Sequence, residues 1–268
     1  MKCWRGIVTV LLLTLLGCKD LIQYNLQEVR LDEDETNLNL KNIPKIEALP
    51  RRDTLKFILI GDTQRFYDQV EDFVTAANKR DDISFVVLAG DISDFGLNRE
   101  FRWVHRELKK LKMPYIGVIG NHDMLANGRL IFNKMYGPEN FSFSCNGTRF
   151  ICLNTNSREV GFDGSIPNLS WLENELQQAA AYRNAFVISH VAPFSKADFD
   201  QKLELPYASL LAKSRNVRAS LHAHDHTTNR VRPYEGGMEY FVIGTVHYKT
   251  YAVITVWDDQ YTIEEHGF

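Results

Sequence analysis

The stretch Phe85-Val86-Val87-Leu88-Ala89-Gly90-Asp91-Ile92-Ser93-Asp94 constrains the fold of this chain most tightly. An apolar, β-type run stops at a glycine and then presents two carboxylates three positions apart. A buried strand that delivers an acid at its carboxyl end is how open α/β sheets build sites. The same construction flanks it on both sides. Upstream, Phe57-Ile58-Leu59-Ile60 runs into Gly61-Asp62-Thr63-Gln64, and downstream Tyr115-Ile116-Gly117-Val118-Ile119 runs into Gly120-Asn121-His122-Asp123. Asp62, Asp91 and Asn121 thus recur about one β-α-β unit apart. Parallel strands would bring all three to one sheet edge, with Asp91 in the middle.

Between these strands the apolar period becomes helical. Phe66, Val70, Phe73, Val74 and Ala77 share one helical face, as do Phe101, Val104, Leu108 and Leu111, and Pro114 stops the second helix. Residues 141 to 154 read as a hairpin turned at Asn146-Gly147. Ser170 and Glu173 have the spacing of a capping box and open a helix to about Ala181. Ala185 to Ser189 is a further apolar strand, ending at His190. A short helix near Pro206 to Lys213 precedes a strand over Val217 to Leu221, which ends in His222-Ala223-His224-Asp225-His226. The tail (Met238 to Ile243, Tyr251 to Trp257, Gln260 to Glu264) is β-rich with short turns, the last at Asp258-Asp259, and reads as an antiparallel meander.

The amino-terminal part is different. Lys2 and Arg5 precede an apolar run from Ile7 to Leu16, too short for a typical membrane span and laid out like a secretory signal. Its end, Leu15-Leu16-Gly17-Cys18, resembles a bacterial lipobox. That resemblance implies removal of residues 1–17, lipidation of Cys18, and anchorage to a membrane of the bacterial cell envelope. Residues 18–50, with Asp32-Glu33-Asp34-Glu35 and no sustained apolar period, read as a flexible tether with a strand possible around Leu38 to Ile43. Residues 51–268 then form one domain. A net charge of −3 over 268 residues carries no nucleic-acid footprint. In a two-residue hairpin Cys145 would oppose Thr148 and Cys152 would oppose Phe141, so buried free thiols are expected rather than a disulfide.

The polar residues at strand ends are Asp62, Gln64, Asp91, Asp94, Asn121, His122, His190, His224 and His226. Carboxylates, amides and imidazoles without thiolate suit divalent Zn, Mn or Fe. There are too many for one ion, and two ions sharing a bridging Asp91 would use them. The order Asp62-Thr63-Gln64, Gly90-Asp91-Ile92-Ser93-Asp94, Gly120-Asn121-His122-Asp123, His190 and Ala223-His224-Asp225-His226 resembles the calcineurin-like metallophosphoesterase family from about residue 55 to the end. The resemblance implies an α/β fold: a two-sheet β-sandwich of mixed sheets flanked by helices, in four layers αββα. It further implies two divalent cations, one held by Asp62, Gln64, Asp91 and His226, the other by Asp91, Asn121, His190 and His224. A water bridging them would attack a phosphate mono- or diester as hydroxide. His122 would protonate the leaving oxygen or stabilise the phosphoryl oxygens, with Asp94 orienting its ring.

Two positions depart from the family pattern. Gln64 stands where histidine is usual, and a neutral amide oxygen is the poorer donor to Zn or Fe. Ala223 replaces glycine, which matters only where the backbone needs φ > 0. His222 and His224 offer a second ligand register, but a small residue before the first ligand favours His224 and His226. Asp123 reads as a local partner, His105 as surface, and His247 and His266 as structural. The alternative function is a catalytically weak, metal-binding scaffold on the same fold. The loops at 124–140, 157–168 and 192–206 would set the substrate, with Phe162, Phe194 and Phe199 as candidate lining residues.

Overall fold

The computed structural model describes residues 28–268. After a 3-10 turn at Glu33–Glu35, the chain runs through α1 (Leu38–Glu47), β1 (Thr54–Ile60), α2 (Tyr67–Ala77), β2 (Phe85–Leu88), α3 (Asn98–Leu108), β3 (Tyr115–Gly117) and α4 (Gly128–Met135). Next come the hairpin β4 (Phe141–Cys145) and β5 (Thr148–Cys152), then α5 (Leu169–Ala179), β6 (Asn184–Ile188), α6 (Gln201–Lys213) and β7 (Val217–His222). The carboxyl-terminal part holds β8 (Asn229–Val231), β9 (Glu239–Val242), β10 (Thr250–Trp257) and β11 (Gln260–Gly267).

These strands form two mixed sheets, ordered β11-β10-β1-β2-β3 and β4-β5-β6-β7-β9-β8. The apolar runs lack polar alternation because both faces of the strands are covered. In β1, Phe57 and Leu59 face the layer between the sheets, while Ile58 and Ile60 join the layer under α2, α3 and α4. The inter-sheet layer is aromatic: Phe57 stacks on Phe85 at 5.2 Å and makes a T-shaped contact with Phe150 at 5.1 Å. Full burial of one such ring contributes about 1.5–3 kcal/mol. Helices α5 and α6 cover the outer face of the second sheet through Leu172, Leu176, Tyr207 and Leu211. The result is the four-layer αββα sandwich.

The hairpin at Asn146-Gly147 forms with Cys145 opposite Thr148 and Cys152 opposite Phe141. Both thiols are buried and free. The expectation of a carboxyl-terminal meander needs correction. Of its three strands only β10 and β11 pair with each other; β9 stays in the second sheet, antiparallel to β8 and parallel to β7. The second sheet needed a strand beyond β7, and β9, buried along its whole length, supplies it. The helix after the 157–168 loop begins at Leu169 with Asn168 as its cap, accepting from Trp171 N at 3.0 Å, so Ser170 is not the cap.

The tether expectation is also corrected over residues 33–47. The acidic run docks on α3, where Arg102 pairs with Asp32 and Glu35 at 2.7 Å each. The possible strand over Leu38 to Ile43 is instead part of α1, which lies across the open edges of both sheets. Asn39 exchanges two hydrogen bonds of 2.9 Å with the Gly117 backbone, and Asn42 donates to Tyr115 O at 2.8 Å. Glu47 accepts from Ser144 N of β4 at 3.0 Å. These polar side chains fix the helix together with Leu38 and Ile46, which are buried in the two cores. The signal and lipobox readings, including Cys18, lie outside the described residues. Among the described residues no helix is long and apolar enough to cross a membrane. His105 is buried against Tyr115 Oη at 2.6 Å rather than on the surface.

Candidate active site

The carboxyl ends of β1, β2 and β3 lie side by side, as the spacing predicts, and the turns after β6 and β7 face them from the second sheet. Asp62 and Asp91 both take φ of +53°, and His224 and His226 take +78° and +57°. Non-glycine residues in the left-handed region cost on the order of 1 kcal/mol each and cluster at functional sites. A backbone network offsets the cost: Asp62 N donates to Gly90 O at 3.2 Å, and Thr63 N and Gln64 N both donate to Asp91 O at 3.0 Å. Two glycines make the close approach possible. A Cβ on Gly90 would meet His190 Nδ1 at 2.5 Å, and one on Gly120 would collide with Asp91 N and Oδ1. Ala223 is absent from the positive-φ positions, which explains why alanine serves where glycine is usual.

Asp91, almost fully buried, lies at the centre. Its Oδ1 accepts from His122 N at 3.0 Å and lies 3.2 Å from His190 Nε2. Its Oδ2 accepts from Gln64 Nε2 at 3.0 Å. Asn121 Oδ1 lies 3.0 Å from both His190 Nε2 and His224 Nδ1. Asp62 Oδ2 accepts from His224 N at 3.2 Å, and Oδ1 lies 3.4 Å from His226 Nε2. Asp62 Oδ1 and Gln64 Oε1 are buried without a hydrogen-bond partner. Orphaned buried acceptors are costly. A carboxylate, an amide oxygen and two imidazole nitrogens spaced 3.0–3.2 Å apart match the edges of a coordination shell with bonds near 2.1 Å. Asp62, Asp91 and His190 form the cluster of metal-ligating type in this region. The donors fit divalent cations.

Charge tells the same story. His190 Nδ1 donates to Ala89 O at 2.7 Å, which turns Nε2 toward Asp91. Burial opposes a charge on His190, but the Asp91 carboxylate outweighs it and lifts the imidazole pKa to about 10. The reciprocal effect keeps Asp91 ionised despite its burial. Burial, then the nearby Asp91 charge, pushes Asp123 up to about 7, against the pull of hydrogen bonds from the Ile92, Ser93 and Gly120 backbone. Asp123 ties the β2 and β3 turns together, so its reading as a local partner stands.

Of the sequence candidates, Asp62, Gln64, Asp91, Asn121, His190, His224 and His226 converge here. His222 does not. It is buried under Tyr240, its Nδ1 is 3.1 Å from Ser189 Oγ, and burial lowers its pKa to about 3. His122 and Asp94 adjoin the cluster, with one correction. The His122 ring is held by the Asp94 main-chain carbonyl, 2.7 Å from Nδ1, whereas the Asp94 carboxylate is 3.7 Å away. That carboxylate pairs with Arg65 Nη2 at 2.6 Å. Arg65 and Asp198, which contacts His224, escaped the sequence reading because neither sits in a motif or at a strand end.

Comparison with known proteins decides the family. The model of the calcineurin-like phosphoesterase family matches residues 55–228. The chain belongs to that family. Residues 55–228 are thus a calcineurin-like phosphoesterase domain, that is, a hydrolase domain. A dimetal phosphatase from Danio rerio superposes with a TM-score of 0.68 at 16% identity, over 80% of this chain and 96% of that one. The purple acid phosphatase of yellow lupin (Lupinus luteus) gives 0.65 at 12% identity, over 81% and 52%. At these identities the likeness is one of fold. A protein of Fibrobacter succinogenes named a probable cyclic nucleotide phosphodiesterase is 27% identical over 125 residues, 43% of this chain and 47% of its own length. One of the same name from Xenorhabdus bovienii is 27% identical over 90 residues, 34% and 36%. The chain thus spans less than half the length of these two relatives.

Proposed function

We propose that this protein hydrolyses phosphomonoesters or phosphodiesters with two divalent cations (Mn, Fe or Zn) sharing Asp91. Asp62, Gln64 and His226 complete the first ligand set; Asn121, His190 and His224 complete the second. The observation that carries the reading is Asn121 Oδ1 set 3.0 Å from two imidazole nitrogens, beside the orphaned Asp62 Oδ1 and Gln64 Oε1. Cations bound there would supply Lewis acidity and a water acidified to near-neutral pKa. The protein's own groups do the rest. His122 Nδ1 donates to the Asp94 carbonyl, which leaves Nε2 as the nitrogen for the leaving oxygen or the phosphoryl oxygens. Arg65, 60% exposed and paired with Asp94, adds a cation beside His122. The names of the two bacterial relatives support including phosphodiesters among the substrates.

The basic-then-apolar leader and Leu15-Leu16-Gly17-Cys18 support anchorage outside the cytoplasm through a lipidated Cys18. Metabolic labelling with a fatty acid, lost in Cys18→Ser, tests that part. For the chemistry, the protein is stripped of metal, reloaded with Mn, Zn or Fe, and offered a chromogenic phosphomonoester and a diester. Metal-dependent turnover that disappears in Asp91→Ala and His122→Ala is expected, and the preferred ester narrows the substrate. Tight metal binding without turnover would instead mark a metal-stabilised scaffold.

A further inference from the structure

His224 faces an oxygen with each of its ring nitrogens. Nδ1 lies 3.0 Å from Asn121 Oδ1, inside the ligand cluster, and Nε2 lies 3.1 Å from Asp198 Oδ2, outside it. A neutral imidazole carries one proton, and the nitrogen that binds a cation must be the bare one. Asp198 decides which nitrogen that is. Its side chain is only 16% exposed, and both its oxygens are already aimed. Oδ1 pairs with Arg158 Nη1 at 3.0 Å, and Oδ2 accepts from Ser195 Oγ at 3.3 Å as well as facing His224. Arg158 N also donates to Asp198 O at 3.3 Å, which pins the 195–198 turn to the 157–160 turn. The Arg158 guanidinium on Oδ1 is the partner of an ionised carboxylate. An ionised carboxylate only accepts, so the Asp198 contact requires a proton on Nε2.

We propose that Asp198 is the positioning residue of the second metal set: it holds His224 as the Nε2–H tautomer and presents a bare Nδ1 beside Asn121 and His190. The inference rests on the dinuclear reading above. A carboxylate behind a ligating imidazole fixes ring orientation and tautomer and raises ligand basicity, and its loss typically costs 10–100-fold in metal affinity. The other two imidazoles are set differently. His190 is held by the Ala89 carbonyl and His226 has the Asp62 carboxylate at 3.4 Å, so His224 alone among the three depends on a carboxylate outside the ligand set.

The test uses the full chain, freed of metal and titrated with zinc, with binding followed by calorimetry and ring protons by 1H–15N spectra. In wild type, two zinc ions and a slowly exchanging Nε2–H on His224 are expected. Asp198→Ala should lose that proton signal and bind one of the two ions about 10–100-fold more weakly. Arg158→Ala, which removes the ion pair but not the Asp198–His224 contact, should stay within about threefold of wild type. Should Asp198→Ala not fold, Asp198→Asn carries the test. It keeps an acceptor and the volume, so the Nε2–H signal should persist while affinity falls several-fold for want of charge. Affinity within about twofold of wild type in Asp198→Ala or Asp198→Asn would overturn the assignment. So would an equal loss in Arg158→Ala, which would make the turn, not the carboxylate, responsible. Wild-type protein that binds no zinc would instead defeat the dinuclear reading itself.

Discussion

The two sheets contribute opposite chemistry to one site. Strands β1, β2 and β3 of the first sheet deliver oxygen donors, Asp62, Asp91 and Asn121, with Gln64 one turn on. The ends of β6 and β7 in the second sheet deliver nitrogen donors, His190, His224 and His226. Neither set suffices alone. The acids by themselves would repel one another, and the imidazoles by themselves offer no compensating charge. Contact between the sets occurs only when the aromatic layer of Phe57, Phe85, Phe150 and Phe186 has closed the sandwich. A cation bound between the sets is therefore a link between sheets, and its binding energy adds to the cohesion of the fold.

The strongest way to break the pairing is Asp91→Ala, which removes the buried carboxylate that lies against His190 and would be shared by both ligand sets. Turnover should fall by on the order of 10³-fold, the upper end of what the loss of a single charge-stabilising donor costs, and stoichiometry measured by metal analysis should drop below two. Gly120→Ala leaves every ligand in place but pushes the β3 turn off Asp91. A cost of about 1–3 kcal/mol is expected in denaturant unfolding, together with reduced metal affinity.

Cations should stabilise the assembled sandwich by roughly 2.7 kcal/mol at a hundredfold excess over Kd, seen as a rise in unfolding temperature that chelator reverses. The pH dependence sharpens this point. In the cation-free protein the His190 pKa is raised from 6.5 to about 10. That contribution to stability is complete below 6.5 and is lost as pH rises through about 10. Metal binding must displace this proton, so affinity should climb with pH by up to about tenfold per unit. Calorimetry in buffers of different ionisation enthalpy would register the proton released.

The smallest effect serves as a control remote from both donor sets. His105, between α3 and Tyr115, has its pKa lowered from 6.5 by burial. Its contribution is present above 6.5 and lost as pH falls toward the folded-state value. His105→Gln should flatten the acid limb of the stability curve by less than about 1 kcal/mol and leave metal binding unchanged.

The parts of this molecule that were legible in the sequence share a physical cause. Strands buried on both faces leave unbroken apolar runs, and a site at their ends leaves polar residues directly after them, so Asp62, Asp91, Asn121 and His190 stand out. The choice of His224 and His226 over His222 rested on the small Ala223 before the first ligand, and the structure buries His222 as the last residue of β7. What was not legible depends on partners distant in sequence. Asp198 meets His224 across 26 residues from within an irregular turn, and β9 joins β7 rather than its sequence neighbour β10. Helix α1 shows no clean apolar stripe because amides and a carboxylate dock it, and Asn39 reaches Gly117 over 78 residues.

The docking of α1 has a practical corollary. Strands β3 and β4 are edge strands of different sheets, and α1 occupies hydrogen-bonding groups of both. A fragment trimmed to Arg51 would retain every candidate ligand, and all of the stretch that marks the family, yet lay bare two adjacent strand edges. Unpaired edges are templates for β-addition between molecules. Such a fragment would be prone to self-association and precipitation, so a soluble assay protein should start ahead of Asp32.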